Sequence, residues 1–444
     1  MRRVFIPNRG EIAVRIVRAC RTLGLECVVG ASEADLDGMA AHLADRVVCI
    51  GPGPASESYL RANTVVQAAL GTECDVIHPG YGFLSESPGL ATLAREHGLV
   101  FVGPPTEAIS LAGDKLAARA QAQRAGVPVL AGGEVAGAAE ARRLAADIGY
   151  PLLVKAAGGG GGRGIKRVHD EGELDALLAL ARREAGAAFG DDRLYLEKLI
   201  GSARHVEVQV AADEHGAVLH LGERDCSVQR RFQKVVEEAP PPHLPAPTSA
   251  TLRAAAVGFA RQIGYRNLGT AEFVIDADDG EPYFLEVNCR IQVEHPVTEA
   301  VTGLDLVAMQ LRIAAGHALG IAQDEVSFDG HAIECRLNAE DPTREYRPSP
   351  GRLSLFSVPE RAGVRVDTHC QAGAPVPPYY DSLLGKLIAH GADREQAIDI
   401  LLDTLQDVDV EGVETNRMML ISVLAHRDFR AGAVTTDWLE RALR

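Results

Sequence analysis

From residue 2 to about residue 105, short apolar segments alternate with amphipathic patterns. Four segments have the composition of buried strands: RVFI, CVVG, CDVIH and LVFVG. Residues 11–23 have helical spacing, and alternating strands and helices predict a mostly parallel sheet with helices on both faces. The polar loops NRGE (8–11) and HPGYGFLSE (78–86) lie at strand ends, where open α/β sheets place their sites. Alone, such loops are more typical of connections. No GxGxxG motif follows the first strand, so dinucleotide binding is not indicated.

A run of glycines lies between two apolar segments in the next region. Residues 150–157 and 165–168 predict strands joined by the loop GGGGGRG, and residues 173–188 and 194–200 predict a helix and another strand. Glycine N–H groups can wrap an anion without interference from Cβ atoms, and Lys155 can place an ammonium group against phosphate oxygens. A bare glycine run is usually a flexible linker. A tight loop between apolar strands favours phosphate binding instead, although the Walker A pattern is absent.

Two apolar runs flank the turn-prone segment 276–280 and predict a β-hairpin. Folding it about Asp279 places Glu272 directly opposite Glu286, a costly arrangement for two carboxylates. While the chain stays extended, the even positions share one face: Glu286, Asn288, Arg290, Gln292 and Glu294. A solvated sheet face would also carry acids. This succession of polar groups favours a divalent metal site at Glu272, Glu286 and Asn288, beside an anion site.

The remaining patterns have both ordinary and functional interpretations. The segment 223–240 concentrates the basic residues Arg224, Arg230, Arg231 and Lys234. They indicate either a solvated basic face or a pocket for a small anion. In the predicted strand GHAIECRLN, apolar Ile333, Cys335 and Leu337 alternate with Glu334 and Arg336. Residues 395–405 and 416–425 predict helices that cover this last sheet.

Composition excludes several classes of protein. A chain of 444 residues predicts two to four domains. The net charge of -16 argues against nucleic acid or an anionic membrane as partner, and no apolar run approaches membrane-spanning length. The eight cysteines have no CxxC pair or metal-ligand spacing, which predicts reduced thiols in a cytoplasmic protein.

The motifs of the chain resemble, in type and order, those of biotin carboxylase, an ATP-grasp enzyme of biotin-dependent carboxylases. They are NRGEIA, HPGYGFLSE, VKAAGGGGGRG, RDCSVQRRFQKVVEEAP, FLEVNCRIQVEHPVTE, HAIECRLNAED and PSPG. The resemblance implies a mixed α/β and α+β architecture with an ATP-grasp fold. A Rossmann-like N-terminal α/β domain would cover 1–112, the ATP-grasp domain 113–321 with a mobile lid at about 130–200, and a C-terminal α+β domain 326–444. A homodimer is expected on resemblance alone.

The implied reaction joins ATP, bicarbonate and carrier-bound biotin, giving N1′-carboxybiotin, ADP and phosphate with Mg²⁺ or Mn²⁺ as cofactor. The residues implied to bind the nucleotide are Lys115, Lys155, Gly161, Gly162, Glu197, Lys198, Leu199, Ile200, His205, Gln229 and Phe232. The resemblance also implies that Glu272, Glu286 and Asn288 hold two Mg²⁺ ions. Those implied to bind bicarbonate are Lys234, Arg290, Gln292 and the Val293 backbone. Glu294 would be the general base, and Arg336 would face the biotin ureido oxygen.

Two positions depart from the common pattern of the family. Phe232 stands where many relatives carry His beside the nucleotide, and a ring cannot accept the same hydrogen bonds. Cys289 stands where Thr is common, and its odd position predicts a core side chain. Neither departure removes a catalytic group.

The resemblance also implies partners. None of the five methionines is followed by lysine, the context of a biotinyl lysine, so biotin is expected on a separate biotin carboxyl carrier protein, with carboxyltransferase subunits downstream. The resemblance favours acetyl-CoA as acceptor, for malonyl-CoA and fatty-acid synthesis, with propionyl-CoA or urea as alternatives. A catalytically silent scaffold is a third alternative, against which the retained Lys234, Glu294 and Arg336 argue.

Overall fold

The computed structural model describes residues 1–158 and 165–442. Among these residues, no helix is both long enough and apolar enough to cross a membrane. All eight cysteines are free thiols, and all but Cys49 are buried.

The N-terminal region is a five-stranded parallel sheet in the order β3-β2-β1-β4-β5, as its alternating pattern predicts. Its elements are β1 (Arg3–Ile6), α1 (Gly10–Thr22), β2 (Glu26–Ala31), α2 (Met39–Leu43), β3 (Arg46–Cys49), α3 (Ala62–Gly71), β4 (Val76–Ile77), α4 (Pro88–Glu96) and β5 (Val100–Phe101). The edge strand β3 is not among the predicted strands, because its short sequence RVVC is largely exposed. Helix α1 begins in the NRGE loop, where Gly10 adopts a φ of +68°.

A separate four-stranded sheet, β6-β9-β7-β8, has its own apolar core beneath two helices. After α5 (Thr106–Gly113) and α6 (Lys115–Arg124), its elements are β6 (Gly132–Val135), α7 (Ala138–Ile148), β7 (Leu152–Ala156), β8 (Ile165–Val168), α8 (Glu171–Phe189) and β9 (Leu194–Lys198). The antiparallel pair β7–β8 brings Lys155 opposite Ile165, so the predicted strands do flank the glycine-rich loop.

The largest sheet has eight antiparallel strands in the order β14-β13-β10-β11-β12-β15-β22-β20. Its first part comprises β10 (Ala203–Ala212), β11 (Val218–Arg230), β12 (Gln233–Ala239), α9 (Ala246–Gln262), β13 (Asn267–Asp276), β14 (Pro282–Asn288), α10 (His295–Thr302) and α11 (Leu306–Ala314). Strand β10 shows why one face is polar: Val206 and Val208 enter the apolar core, whereas His205 and Glu207 are buried on the other face.

The C-terminal region extends this sheet and covers it with helices. It comprises β15 (His331–Asn338), β16 (Glu340–Asp341), β17 (Arg347–Pro348), β18 (Gly351–Arg352), β19 (Leu355–Ser357), β20 (Val364–Thr368), β21 (Pro375–Val376), β22 (Leu383–Gly391), α12 (Arg394–Gln406), β23 (Asp409–Glu411), α13 (Arg417–Ala425), α14 (Arg427–Arg430) and α15 (Trp438–Ala442). Ile333, Cys335 and Leu337 of β15 pack in the core under α12 and α13, as their alternation predicts.

Candidate active site

The polar face of the large sheet, together with the separate four-stranded sheet, lines a cavity of about 470 Å³. Of the predicted site residues, Gly161 and Gly162 lie outside the described residues. All the others line this cavity: Lys115, Lys155, Glu197, Lys198, Leu199, Ile200, His205, Gln229, Phe232, Lys234, Glu272, Glu286, Asn288, Arg290, Gln292, Val293, Glu294 and Arg336. Residues far apart in sequence therefore meet in one place.

The β13–β14 hairpin places Glu272 directly opposite Glu286, the register that folding about Asp279 predicts. Immediately after this pair the ladder shifts by one residue, so Phe273 faces Phe284. Cys289 is buried in the apolar core, as its position predicts. The hairpin thus brings two carboxylates to the same edge of the cavity.

The extended strand ends at Asn288, so strand alternation does not carry the polar face onward to Glu294. Gln292 and Glu294 instead reach the cavity from the turn before α10, with Glu294 at its N-cap position. The carbonyl of Gln292 accepts from the His295 ring at 2.7 Å, which closes this turn. The polar groups converge as expected, but through a turn instead of a longer strand.

Lys234 lies among three buried carboxylates. Its Nζ is 2.6 Å from Glu207 Oε2, 3.0 Å from Glu272 Oε1 and 2.6 Å from Glu294 Oε1. Burial opposes its charge, but Glu207, Glu272 and Glu294 outweigh that cost and raise the pKa of Lys234 well above its usual value. One ammonium group therefore forms ion pairs with three buried carboxylates.

Arg336 joins the same cluster from β15. Its Nε is 2.6 Å from Glu237 Oε1, and its Nη2 is 3.0 Å from Glu294 Oε2. Burial alone would raise the pKa of Glu294, yet Lys234, Arg336 and Arg224 hold it well below its usual range. Burial raises the pKa of Glu237 to about 7 against the opposing effect of Arg336. Glu294 is thus a charged carboxylate clamped between two cations.

The residues at the Glu272 end fit a divalent cation. Burial opposes ionisation of Glu272, but Lys234 and His205 lower its pKa, so the carboxylate is charged. The amides of Asn288 and Gln292 donate to its Oε1 at 2.7 and 2.6 Å. Lys115 forms an ion pair with Glu286 across the cavity. Positive groups thus already lie against both carboxylates, and the available oxygen donors are those that Mg²⁺ and Mn²⁺ prefer.

A second group of possible ligands, His205, Glu207 and Glu272, has its ligand atoms within 4.8 Å of one another. Both oxygens of Glu207 are already engaged, by Lys234 at 2.6 Å and by Arg224 at 2.5 Å. Glu207 is therefore better placed to hold the cations of the site than to bind metal.

The other end of the cavity is lined by lysines and by the inner strands β7 and β9 of the separate sheet. Glu197 on β9 pairs with Lys155 on β7, and its second oxygen accepts from Arg119 at 2.9 Å. Leu199 and Ile200 follow at the end of β9. Gln229 and the His205 ring are hydrogen-bonded at 2.7 Å. This end therefore presents lysine ammonium groups, backbone polar groups and the apolar side chains of Leu199 and Ile200 to a ligand.

Phe232 lies in the turn between β11 and β12, where its φ is +65°. Its ring is 41% exposed, and the guanidinium of Arg167 on β8 lies 4.9 Å from the ring centroid. This contact connects the separate sheet to the large sheet at the cavity. The ring thus packs against a cation here.

Sequence reasoning missed three groups that hold the site together: Glu207, the anchoring function of Arg224, and Glu237. Arg224 is fully buried and donates to Glu207, Gln209, Thr270, Gln292 and Thr298. It therefore lies under the cavity and not on a solvated face, unlike the exposed Arg231. The alternation of His205, Glu207 and Gln209 with valines could have revealed this buried polar face.

Comparisons with known proteins match this chain over its whole length. The family model of the biotin carboxylase N-terminal domain matches residues 1–109, that of the carbamoyl-phosphate synthase L chain ATP binding domain 114–322, and that of the biotin carboxylase C-terminal domain 334–441. Biotin carboxylase of Pseudomonas aeruginosa is 47% identical, covering 100% of this chain and 99% of the relative. Biotin carboxylase 1 of Bacillus subtilis is 46% identical, covering 99% and 98%.

Solved structures show the same likeness. The biotin carboxylase domain dimer of Hydrogenobacter thermophilus 2-oxoglutarate carboxylase, in complex with MgADP, ADP and bicarbonate, has a TM-score of 0.97 at 44% identity and covers 99% of this chain and 97% of its own. The biotin carboxylase–beta-gamma-ATP complex of Campylobacter jejuni has a TM-score of 0.96 at 42% identity, with 99% and 98% covered. These likenesses confirm the predicted fold class.

Proposed function

Because the chain belongs to the biotin carboxylase family and is therefore an ATP-dependent enzyme that carboxylates biotin, we propose that it acts on biotin carried by a separate carrier protein. Bicarbonate is activated as carboxyphosphate, and the products are N1′-carboxybiotin, ADP and phosphate. The observation that carries this proposal is one cavity holding a facing carboxylate pair, Glu272 and Glu286, beside Glu294 clamped between Lys234 and Arg336.

The nucleotide occupies the end of the cavity lined by β9 and its neighbours. Lys115 now pairs with Glu286, and Lys155 pairs with Glu197. When the nucleotide binds, both lysines leave these carboxylates and contact the phosphates as point charges. Glu197, Lys198, Leu199 and Ile200 border the adenine, partly through backbone groups, and His205, Gln229 and Phe232 lie alongside. Gly161 and Gly162 are proposed to cover the phosphates.

Glu272, Glu286 and Asn288 would hold Mg²⁺ or Mn²⁺ through their oxygens. When bound, the metal neutralises charge that spreads over the transferring phosphoryl group. Lys234, His205 and Gln292 keep the Glu272 carboxylate ionised and oriented for that function.

Glu286→Gln should raise the Mg²⁺ concentration for half-maximal ATP cleavage by about 10-fold or more, because a neutral amide is a weaker ligand for a hard cation. A metal titration at saturating ATP measures this. The matched control is Glu340→Gln, which removes a buried carboxylate from the wall of the same cavity, where it pairs with Arg230 at 2.9 Å. An unchanged titration for Glu286→Gln would remove that residue from the metal site.

Bicarbonate lies between the metal end and Arg336, held by Lys234, Arg290, Gln292 and the Val293 backbone. Glu294 accepts the bicarbonate proton as a bicarbonate oxygen attacks the γ-phosphorus and ADP leaves. Lys234 and Arg336 hold the pKa of Glu294 well below its usual value, so the carboxylate is unprotonated at neutral pH and can accept that proton.

Carboxyphosphate then breaks into CO₂ and phosphate, and phosphate removes the N1′ proton of biotin. Arg336 stabilises the negative ureido oxygen, and N1′ attacks CO₂ to form the new carbon–nitrogen bond. Arg336 suits this function because Glu237 and Glu294 fix its guanidinium before substrate arrives. Water must be kept out of the cavity, since carboxyphosphate hydrolyses readily.

We also propose that the carboxyl group passes through a carboxyltransferase to acetyl-CoA, with propionyl-CoA or urea as alternatives, and that the chain is a homodimer. The proposed domains are 1–112, 113–321 and 326–444, with a lid at about 130–200. Purifying the native complex and identifying its other chains distinguishes the acceptors.

ATP cleavage by the pure protein with Mg²⁺ tests the proposed function. We expect ADP release to require bicarbonate and to rise with free biotin. Cleavage at an equal rate without bicarbonate would refute the proposal. Nucleotide binding without bicarbonate-dependent cleavage would favour the scaffold alternative.

A further inference from the structure

The two polar loops of the N-terminal sheet are bound to each other at the wall of the cavity, which Tyr81 lines. Asn8 in the NRGE loop donates to the carbonyls of Pro79 and Tyr81 in the HPGYGFLSE loop, at 2.6 and 2.8 Å. The Tyr81 hydroxyl donates to Glu11 Oε1 at 2.5 Å. None of these contacts involves the proposed nucleotide or metal ligands. The loops therefore present one carboxylate, that of Glu11, in a fixed position.

Lys386 on β22 connects the Glu11 carboxylate to the backbone of the active site. It is fully buried, and its Nζ lies 3.1 Å from Glu11 Oε1 and 2.7 Å from the carbonyl oxygen of Val293. Burial opposes its charge, but Glu11, Glu334 and Asp367 outweigh that cost and raise the pKa of Lys386. The result is a charge-assisted hydrogen bond from a buried ammonium to the turn before α10.

That turn carries the groups proposed to bind bicarbonate and to accept its proton. A peptide unit is planar, so holding the Val293 carbonyl also fixes the direction of the bond that leads to Glu294. On the other side of Val293, the Gln292 carbonyl is held by His295. The turn is therefore fixed at two successive carbonyls, one of them by Lys386.

We propose that Lys386, held by Glu11, is a positioning residue for bicarbonate: it sets the Val293–Glu294 peptide so that the Val293 backbone and the Glu294 carboxylate meet the same ligand. This inference rests on the proposed function. An ordinary structural ion pair would support only folding, whereas a positioning residue affects bicarbonate binding selectively.

The test is the double variant Lys386→Met/Glu11→Gln, which replaces both charges of the pair with neutral side chains of similar length and leaves Asp367 paired with Arg365 at 2.6 Å. We expect the KM for bicarbonate to rise by about 10- to 100-fold, since small misplacement of a site has effects of this size. The KM for ATP should change less than about 2-fold, because none of the described residues proposed to bind the nucleotide contacts this pair. If the Met variant does not fold, Lys386→Gln/Glu11→Gln is decisive in the same way. The glutamine side chain at position 386 is shorter than that of lysine, so it also loses the contact with the Val293 carbonyl.

The matched control is Arg394→Met/Glu238→Gln. Arg394 is a partly buried cation, with its side chain 14% exposed, that pairs with a carboxylate and donates to the carbonyls of Phe429 and Arg430, but outside the cavity. This control variant should have lower thermal stability than the wild type and an unchanged bicarbonate KM. An unchanged bicarbonate KM in the folded Lys386 variant, or equal rises for ATP and bicarbonate, would overturn the inference. Absence of bicarbonate dependence in the wild type would instead overturn the proposed function.

Discussion

Glu294→Gln should lower the rate of bicarbonate-dependent ATP cleavage by a factor of about 10² to 10⁴, the usual contribution of a general base. The amide keeps the shape of the side chain but cannot take the bicarbonate proton. Its ion-pair partners are Lys234 and Arg336, whereas Lys115 and Lys155 pair with other carboxylates, so affinity for ADP should change little. Steady-state cleavage and calorimetric nucleotide binding measure the two quantities.

Glu223→Gln is the control for that substitution. Glu223 is also a buried carboxylate held by an arginine, Arg253 at 2.6 Å, but it does not line the cavity. We expect nearly wild-type cleavage from it. Wild-type turnover from Glu294→Gln would remove Glu294 from the general-base function.

Lys234→Met should have the next largest effect, because it leaves Glu207, Glu272 and Glu294 without their shared cation. The free energy of unfolding at neutral pH should fall by about 3 to 5 kcal/mol, the usual cost of breaking a buried ion pair. The rate of bicarbonate-dependent cleavage should fall with it, by at least about 10²-fold, since electrostatic groups of this kind contribute that much.

The pH dependence of this variant has a definite sign. In the wild type, Lys234 lowers the pKa of both Glu272 and Glu294. Without it, those two pKa values rise, so the folded variant takes up protons more readily than the folded wild type as the pH falls. The stability deficit should therefore shrink as the pH falls below neutral, and the acidic limb of the pH–rate profile should move to higher pH. Denaturant unfolding at several pH values checks this, with Arg417→Met as control, because Arg417 donates to the carbonyls of Leu405 and Gln406 and forms no ion pair among the described residues. An equal deficit at every pH would contradict the account.

Local patterns were sufficient to predict the hairpin of the site. The turn at Asp279 and the alternating side chains set the register, and the structure confirms Glu272 opposite Glu286. The same alternation was wrong beyond Asn288, because the chain leaves the strand there to begin α10. Periodicity reports secondary structure only while that structure continues.

Contacts between distant segments could not be predicted from the residues alone. Arg224 lies in a basic run that suits a solvated face equally well, and only its strand partners show it fully buried against Glu207. Glu11 and Lys386 are likewise far apart in sequence, and no local pattern relates them. Resemblance to a family supplied the set of site residues, and the packing of the sheets explains why they lie together.

Transfer of ¹⁸O from labelled bicarbonate to phosphate tests the central claim most directly. If bicarbonate attacks the γ-phosphorus, the bridging oxygen of carboxyphosphate stays with phosphate when CO₂ leaves, so each phosphate released by the wild type should carry one ¹⁸O atom. Mass spectrometry of the phosphate measures this. Phosphate released in the presence of labelled bicarbonate but containing only oxygen from ATP and water would contradict the account.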